Sequence, residues 1–209
     1  MVVKKKSSHF KSKLRVVNQW NWQYSYCIVI MLLAFFYSCT PKIYKKSDYT
    51  FYDKTFNLNI SSALRTDGIY VLDRIWTDEN GETFKEPKEH RFYKFYTTGQ
   101  CNLTLDLSNE IKTKEDYINV VNKDFLIERS TLFEGYYKLQ DNKIVIQRAV
   151  VPRRQFEYRY GYVEENSLII VKSTINGKGK FDDKYFTNYY KEFYVFVPLD
   201  IIKEGEPQW

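Results

Sequence analysis

From Gly68 to Pro198 apolar and polar residues alternate with a period of two, interrupted at short intervals by turn residues, which is the pattern of half-buried antiparallel strands. The alternation predicts eight strands, at about 68–76, 90–96, 100–107, 135–140, 143–150, 154–163, 167–175 and 188–197. Thr97-Thr98-Gly99 suits a three-residue hairpin loop with the glycine left-handed, and Asp141-Asn142 suits a two-residue turn of positive φ. Asp78-Glu79-Asn80-Gly81 opens a polar loop, Pro152 leads into the sixth strand, and Glu164-Glu165-Asn166 turns into the seventh. One segment breaks the alternation. Thr113, with Asp116 three residues on, can cap a helix over about 114–123 whose Tyr117, Ile118, Val120 and Val121 would lie on or across one end of the sheet.

Turn lengths fix register, and register fixes which side chains share a face. Phe95 is expected opposite Cys101 and Tyr93 opposite Leu103. Leu139 then faces Ile144, Tyr137 faces Ile146, Tyr162 faces Ile169 and Tyr160 faces Val171. These pairs read as one apolar and aromatic inner face, continued by Phe156 and Tyr158. His90 with Asp106, Lys94 with Asn102, and Glu157 beside Arg159 then make a polar outer face. Eight such strands can close into an up-and-down barrel, which removes the exposed edges.

The segments Leu64–Tyr70, Arg91–Gly99 and Gly135–Leu139 with Ile144 and Ile146 resemble the lipocalin-like domains of bacterial lipoproteins over about residues 64–197. That resemblance implies a mainly β, eight-stranded lipocalin-like barrel and brings no catalytic residues with it. The helix after the third strand departs from the commonest lipocalin layout.

Charge changes the picture at the N-terminus only. The chain of 209 residues carries a formal charge of +6, but residues 1–39 hold six Lys/Arg and no acid, while the remainder holds 26 of each sign. The basic stretch is followed by an apolar run from Cys27 to Phe36, ten residues and about 15 Å of helix, half of what a bilayer core requires. This is the layout of an export signal. Tyr37-Ser38-Cys39-Thr40 at its end resembles a bacterial lipoprotein lipobox of the loose Bacteroidota type, which implies that Cys39 becomes the acylated first residue of the mature protein. The expected organisation is a signal peptide over 1–38, a lipid-anchored tether over 39–66 that can dock on the body, the β domain over 67–198 and a tail over 199–209. Thr40 in place of Asp, with no acidic cluster after Cys39, suggests by the same resemblance the periplasmic leaflet of the outer membrane, with surface display as the alternative.

Candidate chemistry is sparse. Of three cysteines, Cys27 belongs to the signal and Cys39 to the anchor, so Cys101 has no disulfide partner and reads as a buried apolar residue. His90 is the one histidine outside the leader. It is expected as a surface partner of Asp106, on the face opposite Cys101, which excludes a Cys–His dyad. No spacing calls for a metal, a phosphate loop or a cofactor. Arg148, Arg153, Arg154 and Arg159 interleave with Phe156, Tyr158 and Tyr160, but a charge-neutral mature domain behind an export signal argues for a charged outer face and against nucleic acid.

The inner face is the remaining candidate, either as plain core or as the lining of a ligand cavity. Tyr137, Tyr158, Tyr160 and Tyr162 are its candidate contacts, and Arg148, opposite Gly135, would hold an anionic end of the ligand. An acidic neighbour such as Glu134 or Glu164 would instead make Arg148 half of an ion pair. The function expected is that of a non-enzymatic envelope protein, anchored in the membrane through Cys39, that binds a small apolar or amphipathic molecule or scaffolds an envelope assembly. A hydrolase or isomerase using tyrosine and carboxylate groups inside the barrel is the alternative.

Overall fold

A computed structural model describes residues 24, 26–31, 44–78, 83–126, 133–150, 155–187, 189–200, 202–203 and 205–209. Residues 1–42 and 43–209 form separate units. In the first, residues 26–31 are helical and exposed, and among the described residues no helix is long and apolar enough to cross a membrane. Cys39 and its flanking residues, most of the turn after Asp78, and Pro152, Arg153 and Arg154 lie outside the described residues.

The second unit is a closed antiparallel barrel of eight strands with one additional short strand, the lipocalin-like architecture expected. The strands are β1 (Gly68–Thr77), β2 (Thr83–Lys85), β3 (His90–Phe95), β4 (Gln100–Asp106), β5 (Glu134–Gln140), β6 (Lys143–Val150), β7 (Gln155–Glu164), β8 (Ser167–Thr174) and β9 (Tyr190–Pro198), with helix α1 (Lys114–Phe125) between β4 and β5. β1 closes the barrel against β9 and is shared on its other edge by β3 and the extra strand β2.

The hairpins follow their turn chemistry. Gly99 is left-handed at φ 85° and Asp141 at φ 55°. The expected pairs Phe95–Cys101, Tyr93–Leu103, Leu139–Ile144, Tyr137–Ile146 and Tyr162–Ile169 all form. Thr113 caps α1 as expected, its hydroxyl accepting from the Asp116 amide at 3.2 Å while the Asp116 carboxylate accepts from the Thr113 amide at 2.8 Å. The helix lays Val121 with Tyr117 and Ile118 over Ile69 and Phe92 on the outside of β1 and β3.

The facing of β7 differs from expectation in a way that decides where the site is. Ile144 pairs with Gly161, Ile146 with Arg159 and Arg148 with Glu157, so Glu157, Arg159, Gly161 and Val163 point inward. Phe156, Tyr158, Tyr160 and Tyr162, expected inside, belong to the outer face. A bulge in β8 also sets Lys172, and not Val171, across from Tyr160. An outward aromatic stripe needs a cover. Tyr44, Tyr49 and Phe51 from the segment before β1, and Phe186 from the β8–β9 connection, supply it. Ring pairs Tyr44–Phe156 at 5.1 Å, Tyr49–Tyr136 at 5.0 Å and Phe51–Tyr158 at 5.9 Å join the segment to the barrel. The Phe51 amide donates to Oε1 of Gln147, itself buried on the outside of β6, at 2.9 Å. The C-terminal segment is likewise docked, with Trp209 buried beside Tyr96 and Tyr136.

Candidate ligand-binding site

The barrel interior has two halves. The half nearest the tight β3–β4, β5–β6 and β7–β8 turns is filled. Tyr70, Phe95, Tyr137, Ile144 and Leu168 are wholly buried there, with Leu64 and Phe196 completing the packing. Rings meet edge to face, Phe95 on Tyr137 at 5.3 Å and on Tyr70 at 5.7 Å. The hydroxyls are satisfied within the protein. Tyr137 donates to the carbonyl of Tyr96 at 2.7 Å, and Tyr70 accepts from the amide of Arg65 at 2.9 Å. Tyr137 therefore faces inward as expected, but as packing. Cys101 lies in the same layer, and burial pushes its thiol up to about 12, which leaves it unreactive near neutral pH.

The half toward the long connections is charged. Arg91, Arg148, Glu157, Arg159 and Glu192 occupy inward positions on β3, β6, β7 and β9. Glu192 is the hub. Its Oε1 takes Arg91 Nη2 at 2.7 Å and the Tyr190 hydroxyl at 3.0 Å. Its Oε2 takes the Tyr194 hydroxyl at 2.7 Å and lies 3.6 Å from Arg159 Nη1. Arg159 also donates to the Tyr93 hydroxyl at 3.0 Å and approaches Glu157 at 3.4 Å, while Ser173, turned inward by the β8 bulge, donates to the other oxygen of Glu157. Burial opposes the charge on Arg159, yet Tyr93, Glu192, Glu157 and Tyr194 together outweigh it and hold its pKa well above the usual value. Glu157 shows the same contest. Burial raises its pKa, and Arg159, Ser173 and Arg148 bring the balance below the ordinary carboxylate range. Burial is also the leading reason that Tyr194 is pushed far up and Tyr190 to about 12.

Beside this network a cleft of about 560 Å³ opens at the barrel mouth, a size suited to a small molecule. Leu72, Ile75 and Thr77 of β1, Arg91 of β3 and Tyr190 of β9 form its inner wall, and residues 85–89 form the rest. A second depression of about 640 Å³, between residues 56–63 and the Asp141–Asn142 turn, is lined largely by short polar side chains at the filled end.

Of the site residues expected from sequence, the structure brings Tyr137 and Arg148 to the interior and sets Tyr158, Tyr160 and Tyr162 outside. Arg159, expected outward, lies inside the barrel as part of the network. Arg91, Glu192, Tyr190 and Tyr194 were missed altogether. A signal for β7 existed: with Arg148 inward, the residue paired with it on the next strand, Glu157, shares its face. His90 stays on the outside, 3.4 Å from Asp106 and 2.7 Å from the Tyr117 hydroxyl, where it ties β3 to α1. Compared with known proteins, the chain matches no family model, no curated protein and no solved structure.

Proposed function

We propose that the chain is an exported, lipid-anchored cell-envelope protein that binds a small amphipathic molecule in the charged mouth of its barrel and does not transform it. The observation that carries the binding reading is the cleft of about 560 Å³, which sets the apolar side chains of Leu72 and Ile75 next to the buried charge of Arg91. An apolar wall with a few fixed polar groups is what an amphipathic ligand requires. The filled half below confines any ligand to the mouth. The anchor reading rests on the basic leader, the short apolar run and Cys39 at its end, and carries with it the outer membrane, facing the periplasm, as the place of action.

Two measurements test this reading. N-Phenyl-1-naphthylamine, a neutral apolar fluorophore, is expected to bind the purified full chain and to lose most of its affinity in Ile75→Arg; equal binding by both proteins removes the mouth as the site. Metabolic labelling with an alkyne fatty acid is expected to mark the wild type and to miss Cys39→Ala, and equal labelling ends the anchor reading.

A hydrolase or isomerase is the second reading, favoured by one feature: the buried carboxylate of Glu192 sits among Tyr93, Tyr190 and Tyr194. Weighing against it, both oxygens of Glu192 are engaged by protein donors, and the tyrosines nearest it have raised pKa values, the opposite of what an activated tyrosine base needs.

A further inference from the structure

The two ends of the barrel show solvent different surfaces. Among the described residues of the barrel unit, most large apolar side chains left exposed stand at the mouth end. Phe84 lies on β2, Leu107 follows β4, Ile175 follows β8, and Tyr189 and Tyr190 lead into β9. Phe84 is 65% exposed, Tyr189 71% and Leu107 79%, so little of the described chain covers them. Elsewhere on the unit, Ile60, Leu126 and Val195 are exposed along the wall or at the filled end. The arc from β8 through β9 and β2 to β4 takes in more than half of the rim, which suits a surface as wide as the barrel itself.

The same arc carries cations over aromatic rings. Arg74 stands 5.7 Å from the centre of the Phe84 ring and 4.9 Å from that of Phe193, and Lys191 stands 5.1 Å from that of Trp76. These residues pair on the outward side of β1, β2 and β9, next to the cleft. Aromatic rings with Lys and Arg stems beside them are the composition of a surface seated at a lipid–water interface. In the cleft wall Lys85 and Lys88 are matched by Glu86 and Glu89, so attraction to anionic lipid is not its basis.

The remaining arc is where the chain arrives from its anchor. Tyr44 packs at 5.1 Å on Phe156, the second residue of β7, which puts residue 44 at the mouth end. From there the segment runs to the filled end, where the Leu58 amide donates to the Thr97 carbonyl at 2.9 Å. Five peptide units separate Cys39 from Tyr44 and reach at most about 18 Å. The barrel is longer: ten-residue β7 covers about 25 Å along the axis at the strand tilt of such barrels. An anchor at Cys39 is therefore too short for the filled end to rest on the bilayer.

We propose that the mouth of the barrel docks on the lipid bilayer that holds its own anchor, with Phe84, Leu107, Ile175 and Tyr189 seated among the headgroups. The inference rests on the reading of Cys39 as the acylated residue. The cleft of about 560 Å³ then opens onto lipid, so its amphipathic ligand enters from the membrane rather than from water.

The test measures depth in the mature, acylated protein made from the full chain and reconstituted in phosphatidylcholine vesicles. Signal removal takes away Cys27, acylation occupies the Cys39 thiol, and Cys101 is sealed in the barrel, so an introduced cysteine is the one that takes a nitroxide label. Phe84→Cys, Tyr189→Cys and Ile60→Cys all lie at exposed positions, which the fold tolerates. Labels at 84 and 189 are expected about 5–10 Å into the headgroup–acyl boundary, meeting oxygen in preference to a nickel chelate. The label at 60 is expected to meet the chelate as freely as in water. Labels at 84 and 189 as open to the chelate as that at 60, or a deeper label at 60, overturn the docking. A label at 84 screened from both reagents marks a protein on the rim and overturns it too. Fatty-acid labelling of the same preparations separates the two readings: an acylated protein with aqueous labels keeps its anchor and loses the docking, whereas absence of acylation overturns both.

Discussion

The two faces of β7 carry opposite chemistry from what local pattern suggests. Outward, Tyr158 and Tyr160 are as buried as core residues. Inward, Arg159 and Glu157 stand inside the barrel. β5, next door but one, is conventional only in part: Tyr137 is inward and Lys138 exposed, while the outward Tyr136 is buried against Tyr49 and Trp209. The difference lies in what each strand is covered by. The outer face of β7 is roofed by residues 44–51 and by Phe186, parts of the chain more than twenty residues away, and its inner face meets Glu192 of β9, two strands along the barrel wall. An aromatic residue marks a buried surface without saying which side of the sheet is buried, and a charged one marks a solvated surface only where no countercharge waits inside.

The sharpest way to break this comparison is Arg159→Ala. Removing one member of an enclosed ion network leaves Glu157 and Glu192 short of a partner, so a loss of about 3–5 kcal/mol is expected in urea unfolding. A change under about 1 kcal/mol, the value for an exposed charge, would return Arg159 to the outer face. Tyr160→Ala is expected to cost less, about 2–3 kcal/mol. The ring is fully buried between Tyr185 at 4.9 Å and Phe186 at 5.5 Å, but a cover of loops can collapse into the gap more readily than strands can. If Tyr160→Ala cost more than Arg159→Ala, the roof over β7 would hold the fold more strongly than the enclosed ion network. Tyr137→Phe, which keeps the ring and removes one buried hydrogen bond to Tyr96, should cost about 1 kcal/mol in the same assay. A negligible cost would show that the hydroxyl is not held there.

The smallest effect is a pH dependence. The pKa of Glu157 is depressed in the folded protein, so between its folded and unfolded values the unfolded chain binds more protons. Its contribution to stability is therefore complete above the ordinary glutamate range, about pH 4.3, and is lost as the pH falls through the folded pKa. Glu157→Gln should flatten that part of the acid limb in denaturation measured at a series of pH values. An unchanged slope would show that Arg159 and Ser173 do not hold the carboxylate ionised.

Much of the architecture was legible because it is written locally. Gly99 and Asp141 announce hairpins whose register follows from loop length, and Thr113 with Asp116 announces α1. The inward placement of Arg148 was legible for the same reason. The site was less so. Arg91 and Glu192 meet at 2.7 Å although 101 residues separate them, and nothing in either strand's alternation marks the encounter. The β8 bulge, which turns Ser173 toward Glu157, has no sequence signal that we can identify. The outer faces were misread where the cover came from afar, at β7 and its aromatic roof, and read correctly where short turns decided the pairing.

The roof over β7 also sets how the domain answers a pull. Its contacts begin at Tyr44, well ahead of β1, and run along the outside of the sheet as successive ring pairs and the Phe51–Gln147 hydrogen bond. Force applied to the chain before residue 44 would load these contacts first and in series, as a peel, while the barrel strands stayed closed. Peeling needs little force because each contact yields before the next is strained. The segment would thus act as a fuse in front of the barrel: under tension it would release the aromatic face of β7 and lengthen the connection, sparing the charged mouth, and on slackening it would dock again.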